Sequence, residues 1–247
     1  MGGRSSGTGK YIGRMLRTWI HGLAAHLPAR CEVCGAWPAR PVCERCVARF
    51  AQPRPRCRRC ALPVPAGVAE CGRCLREPPP LDACFAAVDY AYPWSGLVAR
   101  FKFQGEPGWA GPLAELLRST PWVEPALERA DLLLALPLAP ARLAERGFNQ
   151  ALALARRLAP RKADPALLLR LRETAPQAQL DRAARQRNVK DAFALDPLGA
   201  PRLRGADVVL VDDVMTSGSS LFSAAAVLRR AGAARVTALV VARTGED

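Results

Sequence analysis

The sequence predicts an α/β protein in which a parallel sheet is flanked by helices and preceded by a cysteine-rich, metal-binding module. Three observations predict it. The apolar runs at 132–136 (LLLAL) and 208–211 (VVLV) are continuous rather than alternating, the pattern of strands buried on both faces. Such runs alternate with segments of helical periodicity. All nine cysteines precede residue 85, and eight of them form four CxxC pairs.

The cysteine module follows from spacing. Cys31/Cys34, Cys43/Cys46, Cys57/Cys60 and Cys71/Cys74 can each grip one metal from a tight knuckle. Two pairs complete a tetrahedral thiolate site, so four pairs imply two Zn²⁺ ions. An all-cysteine set leaves no open position for a catalytic water, which makes the zinc structural. A stretch of this size buries little apolar surface by itself, and metal supplies the missing free energy. A disulfide framework is the rival reading and needs an oxidising compartment; a redox role for the CxxC thiols is a weaker one. Spacing favours sequential pairing but leaves interleaved pairing open. Cys84 falls outside the pattern and reads as a core thiol.

Charge separates the two parts. Residues 1–80 carry 14 Lys/Arg and 4 Asp/Glu, whereas residues 81–247 carry 22 and 18. The basic excess of the first third suits an anionic partner, nucleic acid first, although an arginine-rich composition alone produces the same balance. Arg54, Arg56, Arg58 and Arg59 are either phosphate contacts or a solvated face. No apolar run approaches the ~18 residues of a membrane span. Residues 12–27 carry an amphipathic helical stripe suited to docking onto the rest of the protein or, as the lesser reading, to lying on a membrane surface, and residues 1–10 read as a flexible tail. GRSSGTGKY resembles a P-loop only superficially, since Arg4 and Tyr11 stand where glycine and Ser/Thr are needed.

The triple proline in 76–82 (REPPPLD) reads as a boundary, giving a tail and helix over 1–30, a cysteine module over 31–80 and an α/β domain over 81–247. Within that domain the pattern predicts strands at 83–90, 132–136, 208–211 and 236–241. It predicts helices at 94–103, 112–118, 149–158 and 219–230, and a loop after 136. Short runs at 167–171 and 192–195 flank a polar segment.

One stretch carries chemistry. VVLVDDVMTSGSS (208–220) places Asp212 and Asp213 at the end of a buried strand and Thr216, Ser217, Gly218, Ser219 and Ser220 at the start of a helix. In open α/β sheets ligands sit beyond the carboxyl ends of strands. Helix-end N–H groups and hydroxyls attract an anion, Gly218 permits close approach, and carboxylates accept hydrogen bonds from hydroxyls. Ribose 5-phosphate satisfies both halves. A capped helix behind a solvated turn would need neither four hydroxyls nor two carboxylates.

This stretch is a specific match to the fingerprint of the type I phosphoribosyltransferases. Together with the four CxxC pairs, RFKFQG (100–105), LPLAPARLAERGFNQA (136–151) and QLDRAARQRNVKDAF (179–193), it makes residues 20–243 or so resemble the ComF family (ComFC/GntX-like). The resemblance implies a type I phosphoribosyltransferase-like parallel sheet with an N-terminal double zinc ribbon. It implies binding of phosphoribosyl pyrophosphate (PRPP) with Mg²⁺, and transfer of the phosphoribosyl group to an acceptor it does not name. Asp212 and Asp213 would hold the ribose hydroxyls, residues 216–220 the 5-phosphate, and the backbone around Leu138 the pyrophosphate. Arg146 would add a cation, and a flap over 174–190 would bring Arg182, Arg185, Arg187 and Lys190 to the leaving group. It also implies a cytoplasmic role in DNA uptake, with single-stranded DNA and a competence helicase (ComFA-like) as partners. The alternative is a non-catalytic DNA-binding accessory whose PRPP site is regulatory or vestigial. TAPQAQL (174–180) departs from the family's usual flap pattern near Pro176.

Overall fold

The computed structural model describes residues 29–171 and 192–245. The amphipathic stripe, the basic flap and Arg185 therefore lie outside the described residues. By backbone contacts the chain divides into two compact units, residues 1–48 and 49–247. In chain order the elements are α1 (Glu44–Phe50), α2 (Gly72–Arg76), β1 (Ala83–Asp89), α3 (Trp94–Phe103), α4 (Ala110–Arg118), α5 (Val123–Arg129), β2 (Leu132–Ala135), α6 (Pro140–Arg146), α7 (Gln150–Leu158), β3 (Ala163–Asp164), β4 (Leu168–Arg170), β5 (Phe193–Leu195), β6 (Asp207–Met215), α8 (Ser219–Arg230) and β7 (Arg235–Arg243).

Five strands form one parallel sheet in the order β1-β7-β6-β2-β3. Its register explains the continuous apolar runs. Leu134, Leu210, Ala238 and Cys84 are successive cross-strand neighbours and lie in one buried cluster with Leu221, Ala224 and Leu228 of α8. The alternate residues Leu133, Val209, Val211, Leu239 and Val241 are buried as well, where α4 and α7 contact the central strands. Side chains alternate across a strand, so burial on both faces keeps mid-strand positions apolar, Thr237 and the two aspartates near the end of β6 excepted.

The buried cluster below α8 also contains Cys57, Cys60, Cys71 and Cys74. The second set of cysteines is thus core to residues 49–247. The Cys84 N–H donates to the Arg58 carbonyl at 2.7 Å, and this stitches the cysteine segment to β1.

Expected elements recur with changed limits. The strand read at 208–211 runs on to Met215, carrying the two aspartates within it. The runs at 167–171 and 192–195 pair as the antiparallel ribbon β4-β5. The segment expected to be a loop after 136 contains α6, which begins with Pro140 in its first turn and ends at Gly147 with φ +75°. Proline at the start and a left-handed glycine just past the end are helix signals. Among the described residues, no helix is long and apolar enough to cross a membrane.

Candidate functional site

A cavity of about 230 Å³ opens at the carboxyl end of the sheet, within residues 49–247. Asp212, Asp213 and the whole of 216–220 line it, as do Leu138 and Arg146. The structure therefore brings together every site residue read from 208–220 and both of those read from 136–151. Lys102, Arg142, Asn149, Gln150 and Arg170 complete the polar lining.

The two aspartates are not equivalent. Successive strand residues point to opposite faces. Asp213 is 5% exposed, and its Oδ1 is 2.8 Å from Lys102 Nζ at the end of α3. Its Oδ1 also accepts the Val214 N–H at 2.6 Å. Asp212 accepts the Asp213 N–H at 2.8 Å. Burial, followed by the charge of Asp213, pushes the Asp212 carboxyl up to about 7, while Lys102 pulls the other way. A carboxylate held this reluctantly charged is primed for a partner that donates hydrogen bonds or carries positive charge.

The loop after β6 is shaped by Gly218. Its φ is +81°, and a Cβ there would stand 2.3 Å from Met215 Cε and 2.7 Å from Phe222 Cζ. Only glycine fits. As N-cap of α8, Gly218 supplies no side-chain acceptor to the first turn. The Ser217 and Ser219 hydroxyls lie 2.9 Å apart, and the Ser219 N–H reaches Ser217 Oγ at 3.4 Å. Backbone N–H groups and hydroxyls around a helix start form a concavity suited to a phosphate.

The opposite wall comes from β2, α6 and α7. Asn149 caps α7 through the Leu152 N–H at 3.1 Å, and its Nδ2 donates to the Leu136 carbonyl at 3.1 Å, which fixes the turn that carries Leu138. Arg146 Nη1 donates to Gln150 Oε1 at 3.2 Å, and its guanidinium lies 5.0 Å from the Phe103 ring centroid. Arg146 Nε and Gln150 Nε2 are buried with no hydrogen-bond partner among the described residues. Both residues line the cavity, but these two nitrogens have no accessible surface, so a ligand reaches them only if the wall shifts.

Lys102 was the main omission of sequence reasoning. RFKFQG contains it, but its partner stands more than a hundred residues later. Arg142 and Gln150 lie within LPLAPARLAERGFNQA; Arg142 sits on α6, in the segment expected to be a loop, and Gln150 heads α7, where only the fold brings it to Arg146 and the cavity.

The cysteines form two groups. Sγ atoms of Cys31, Cys34, Cys43 and Cys46 lie within 4.8 Å of one another, and so do those of Cys57, Cys60, Cys71 and Cys74. This is sequential pairing. Separations of 3.8 Å (Cys31–Cys46), 3.6 Å (Cys34–Cys43) and 3.7 Å (Cys60–Cys71) match the roughly 3.8 Å between sulfurs of a tetrahedral site with Zn–S bonds of about 2.3 Å. They are far too long for disulfides. Each group joins a knuckle to a helical turn. Gly35 (φ +73°) and Ala61 (φ +53°) return their N–H to Cys31 O and Cys57 O at 2.8 Å. Val47 and Leu75 do the same for Cys43 and Cys71 at 3.0 Å. Against the upward push of burial, backbone N–H donors hold Cys31 down to about 6 and Cys57 down to about 7. Burial raises Cys46 to about 12 and Cys60 to about 11. The donor set fits Zn²⁺ at both positions.

Comparison with known proteins follows the same lines. Residues 143–247 match the model of the phosphoribosyl transferase domain. DNA utilization protein YhgH of Escherichia coli (strain K12) is 34% identical over 235 residues, spanning 88% of this chain and 98% of that protein. Its namesake in Salmonella typhimurium is 38% identical over 185 residues, 70% of this chain and 78% of that one. Competence protein F of Haemophilus influenzae is 33% identical over 181 residues, again 70% and 78%. A solved structure of the allosteric regulatory enzyme of purine biosynthesis overlaps 54% of this chain and 25% of its own, with TM-score 0.35 and 19% identity, too remote to bear on the fold. The near-complete span of its relatives, the two four-cysteine groups and the domain match agree: the chain belongs to the ComF/YhgH family, with a phosphoribosyl transferase domain at its C-terminal end.

Proposed function

We propose that the cavity binds PRPP with Mg²⁺ and that the protein is a phosphoribosyltransferase-type member of its family, serving DNA uptake in the cytoplasm. One observation carries the reading: two carboxylates and a glycine-centred hydroxyl loop line the same cavity as Leu138 and Arg146. The 5-phosphate would sit on Thr216–Ser220 N–H and hydroxyl groups, and the ribose diol on Asp212 and Asp213. The pyrophosphate would lie along Leu138 and Arg146, with Arg185 of the flap added on closure. In transfer, the bond from ribose C1 to pyrophosphate breaks with its electron pair on oxygen, and a nucleophile bonds to C1. The cations lining the cavity would stabilise the departing charge, and Mg²⁺ bound with the pyrophosphate would supply further neutralisation. Burial of Asp213 beside Lys102 fixes one acceptor before ligand arrives.

By role, residues 31–80 form a double zinc ribbon and 81–247 the phosphoribosyltransferase-like part, behind the tail and helix of 1–30. This division by role does not coincide with the division into compact units. Both four-cysteine groups would hold structural Zn²⁺.

A second reading, a single-stranded-DNA-binding accessory working beside a competence helicase, is favoured by the basic excess of residues 1–80 and by the names of the relatives. Calorimetric titration of PRPP–Mg²⁺ into wild type and an Asp212→Asn/Asp213→Asn variant, with DNA binding measured at two salt concentrations, separates the two. Binding of PRPP that the variant loses supports the first reading. DNA binding that is steep in salt and indifferent to the variant, with no PRPP binding by wild type, supports the second. Pyrophosphate release from PRPP, screened against a panel of nucleobases, tests turnover.

A further inference from the structure

We propose that Arg243 is a positioning residue that ties the second cysteine cluster to the foot of the phosphate-type loop, with that cluster as its counter-charge. Arg243 is the last residue of β7, is 1% exposed and is the largest fully buried side chain among the described residues. A buried guanidinium ordinarily takes a carboxylate. This one takes carbonyls. Its Nε donates to Cys60 O at 2.9 Å, and its Nη1 donates to Met215 O at 3.3 Å and to Thr244 O. No carboxylate among the described residues is ion-paired with it. Asp89, the register partner of Arg243 on β1, is already engaged by the part-buried Arg56 at 2.8 Å and by Arg54 at 2.6 Å, so the neighbourhood holds more positive than negative side chains. Four thiolates around one divalent ion carry a net charge of about −2, which supplies the missing compensation.

The tether ends where the loop begins. Met215 is the cross-strand partner of Arg243 and directly precedes Thr216. Its carbonyl also accepts the Thr244 N–H at 3.1 Å, its thioether accepts the Cys84 thiol at 3.7 Å, and its methyl fills the space that a Gly218 side chain would need. A second strut runs in parallel. Arg73, between Cys71 and Cys74 on α2, places its guanidinium 5.9 Å from the ring centroid of Phe222, the other side chain crowding Gly218. The second cysteine cluster thus reaches the loop through two contacts, a buried one at Arg243 and a part-buried one at Arg73, and the Met215 end of the first also lines the cavity. Its consequence for ligand affinity rests on the reading of the cavity as a sugar-phosphate site; its consequence for loop order does not.

The test uses the full chain and the variants Arg243→Met, which removes the charge, and Arg243→Lys, which keeps the charge and loses the fork. Hydrogen exchange of the 217–221 amides is measured under conditions where circular dichroism shows the fold intact, together with chelator competition for zinc in a Cys31→Ser/Cys34→Ser background and titration with ribose 5-phosphate. For Arg243→Met we expect loop amides to exchange at least about tenfold faster while β2 and α7 amides are unchanged. The remaining zinc should be lost to chelator at about tenfold lower concentration, and ribose 5-phosphate should bind about tenfold or more weakly. Arg243→Lys should retain zinc but loosen the loop. Should Arg243→Met fail to fold, loop exchange in Arg243→Lys decides. Unchanged loop exchange, or acceleration spread evenly over the domain, overturns the proposal. If wild type ignores ribose 5-phosphate while the exchange and zinc results hold, the tether stands and the reading of the ligand falls.

Discussion

Asp212 and Asp213 are neighbours with opposite energetic roles. Asp213 is satisfied by Lys102, whereas Asp212 is held up to about 7 by burial and by Asp213 itself. A carboxyl raised from its ordinary value near 3.8 contributes stability that is complete below that value and is lost as pH rises through about 7. Asp212→Asn should therefore raise the melting temperature at pH 8 by about 2–4 °C for each kcal/mol of relieved charge burial, with little gain at pH 4. Asp213→Asn should do the reverse, costing on the order of 2 kcal/mol by leaving the Lys102 ammonium unpaired. Both should lose PRPP. Thermal melts of the two variants across pH check this asymmetry, and equal shifts of the same sign would contradict it. Gly218→Ala, facing both a left-handed backbone and contacts under 3 Å, should cost about 1–3 kcal/mol and lose phosphate binding, read by melting and by titration with inorganic phosphate. The aspartates and the glycine could be read from sequence because their chemistry is local. Lys102 and Arg243 could not, because each is defined by a partner that only the fold brings near.

Elements were legible where their pattern was self-contained. Strands β2 and β6 announced themselves as unbroken apolar runs, and α8 as the periodic segment behind a hydroxyl-rich turn. The two-residue β3 is too short to carry a period. α6 carries no apolar face in sequence because it has no buried side chain to mark one, although Pro140 and Gly147 punctuate it. The cysteine pairs were legible as metal ligands by spacing, but nothing in CxxC says which site is core. Within residues 49–247 the second cluster occupies the interior beneath α8, whereas the first belongs to residues 1–48. Cys57→Ser/Cys60→Ser should lower the melting temperature of the phosphoribosyltransferase-like part by about 10 °C or more, since it removes both metal and core packing. Cys31→Ser/Cys34→Ser should leave that transition within a few degrees of wild type. Scanning calorimetry with zinc quantification distinguishes the two, and equal losses would show that the clusters are not energetically distinct.

At the scale of the whole molecule, an open parallel sheet presents one carboxyl edge, and the chain concentrates its polar chemistry there: a reluctant carboxylate, a hydroxyl-rich loop and a helix start with glycine as its N-cap, around one cavity. Elsewhere the described central strands are largely apolar on both faces, with Thr237 the buried exception, so a polar ligand has no comparable place there. The net charge of +14 is concentrated outside this region, in residues 1–80, which separates any nucleic-acid affinity from the cavity in sequence. The most direct measurement is a crystal structure of the protein grown with PRPP and Mg²⁺. The account predicts density for the sugar phosphate in the cavity, its 5-phosphate on the 216–220 loop and its ribose hydroxyls on Asp212 and Asp213. Ligand density elsewhere on the molecule, or in the cavity with both aspartates out of contact, would contradict it.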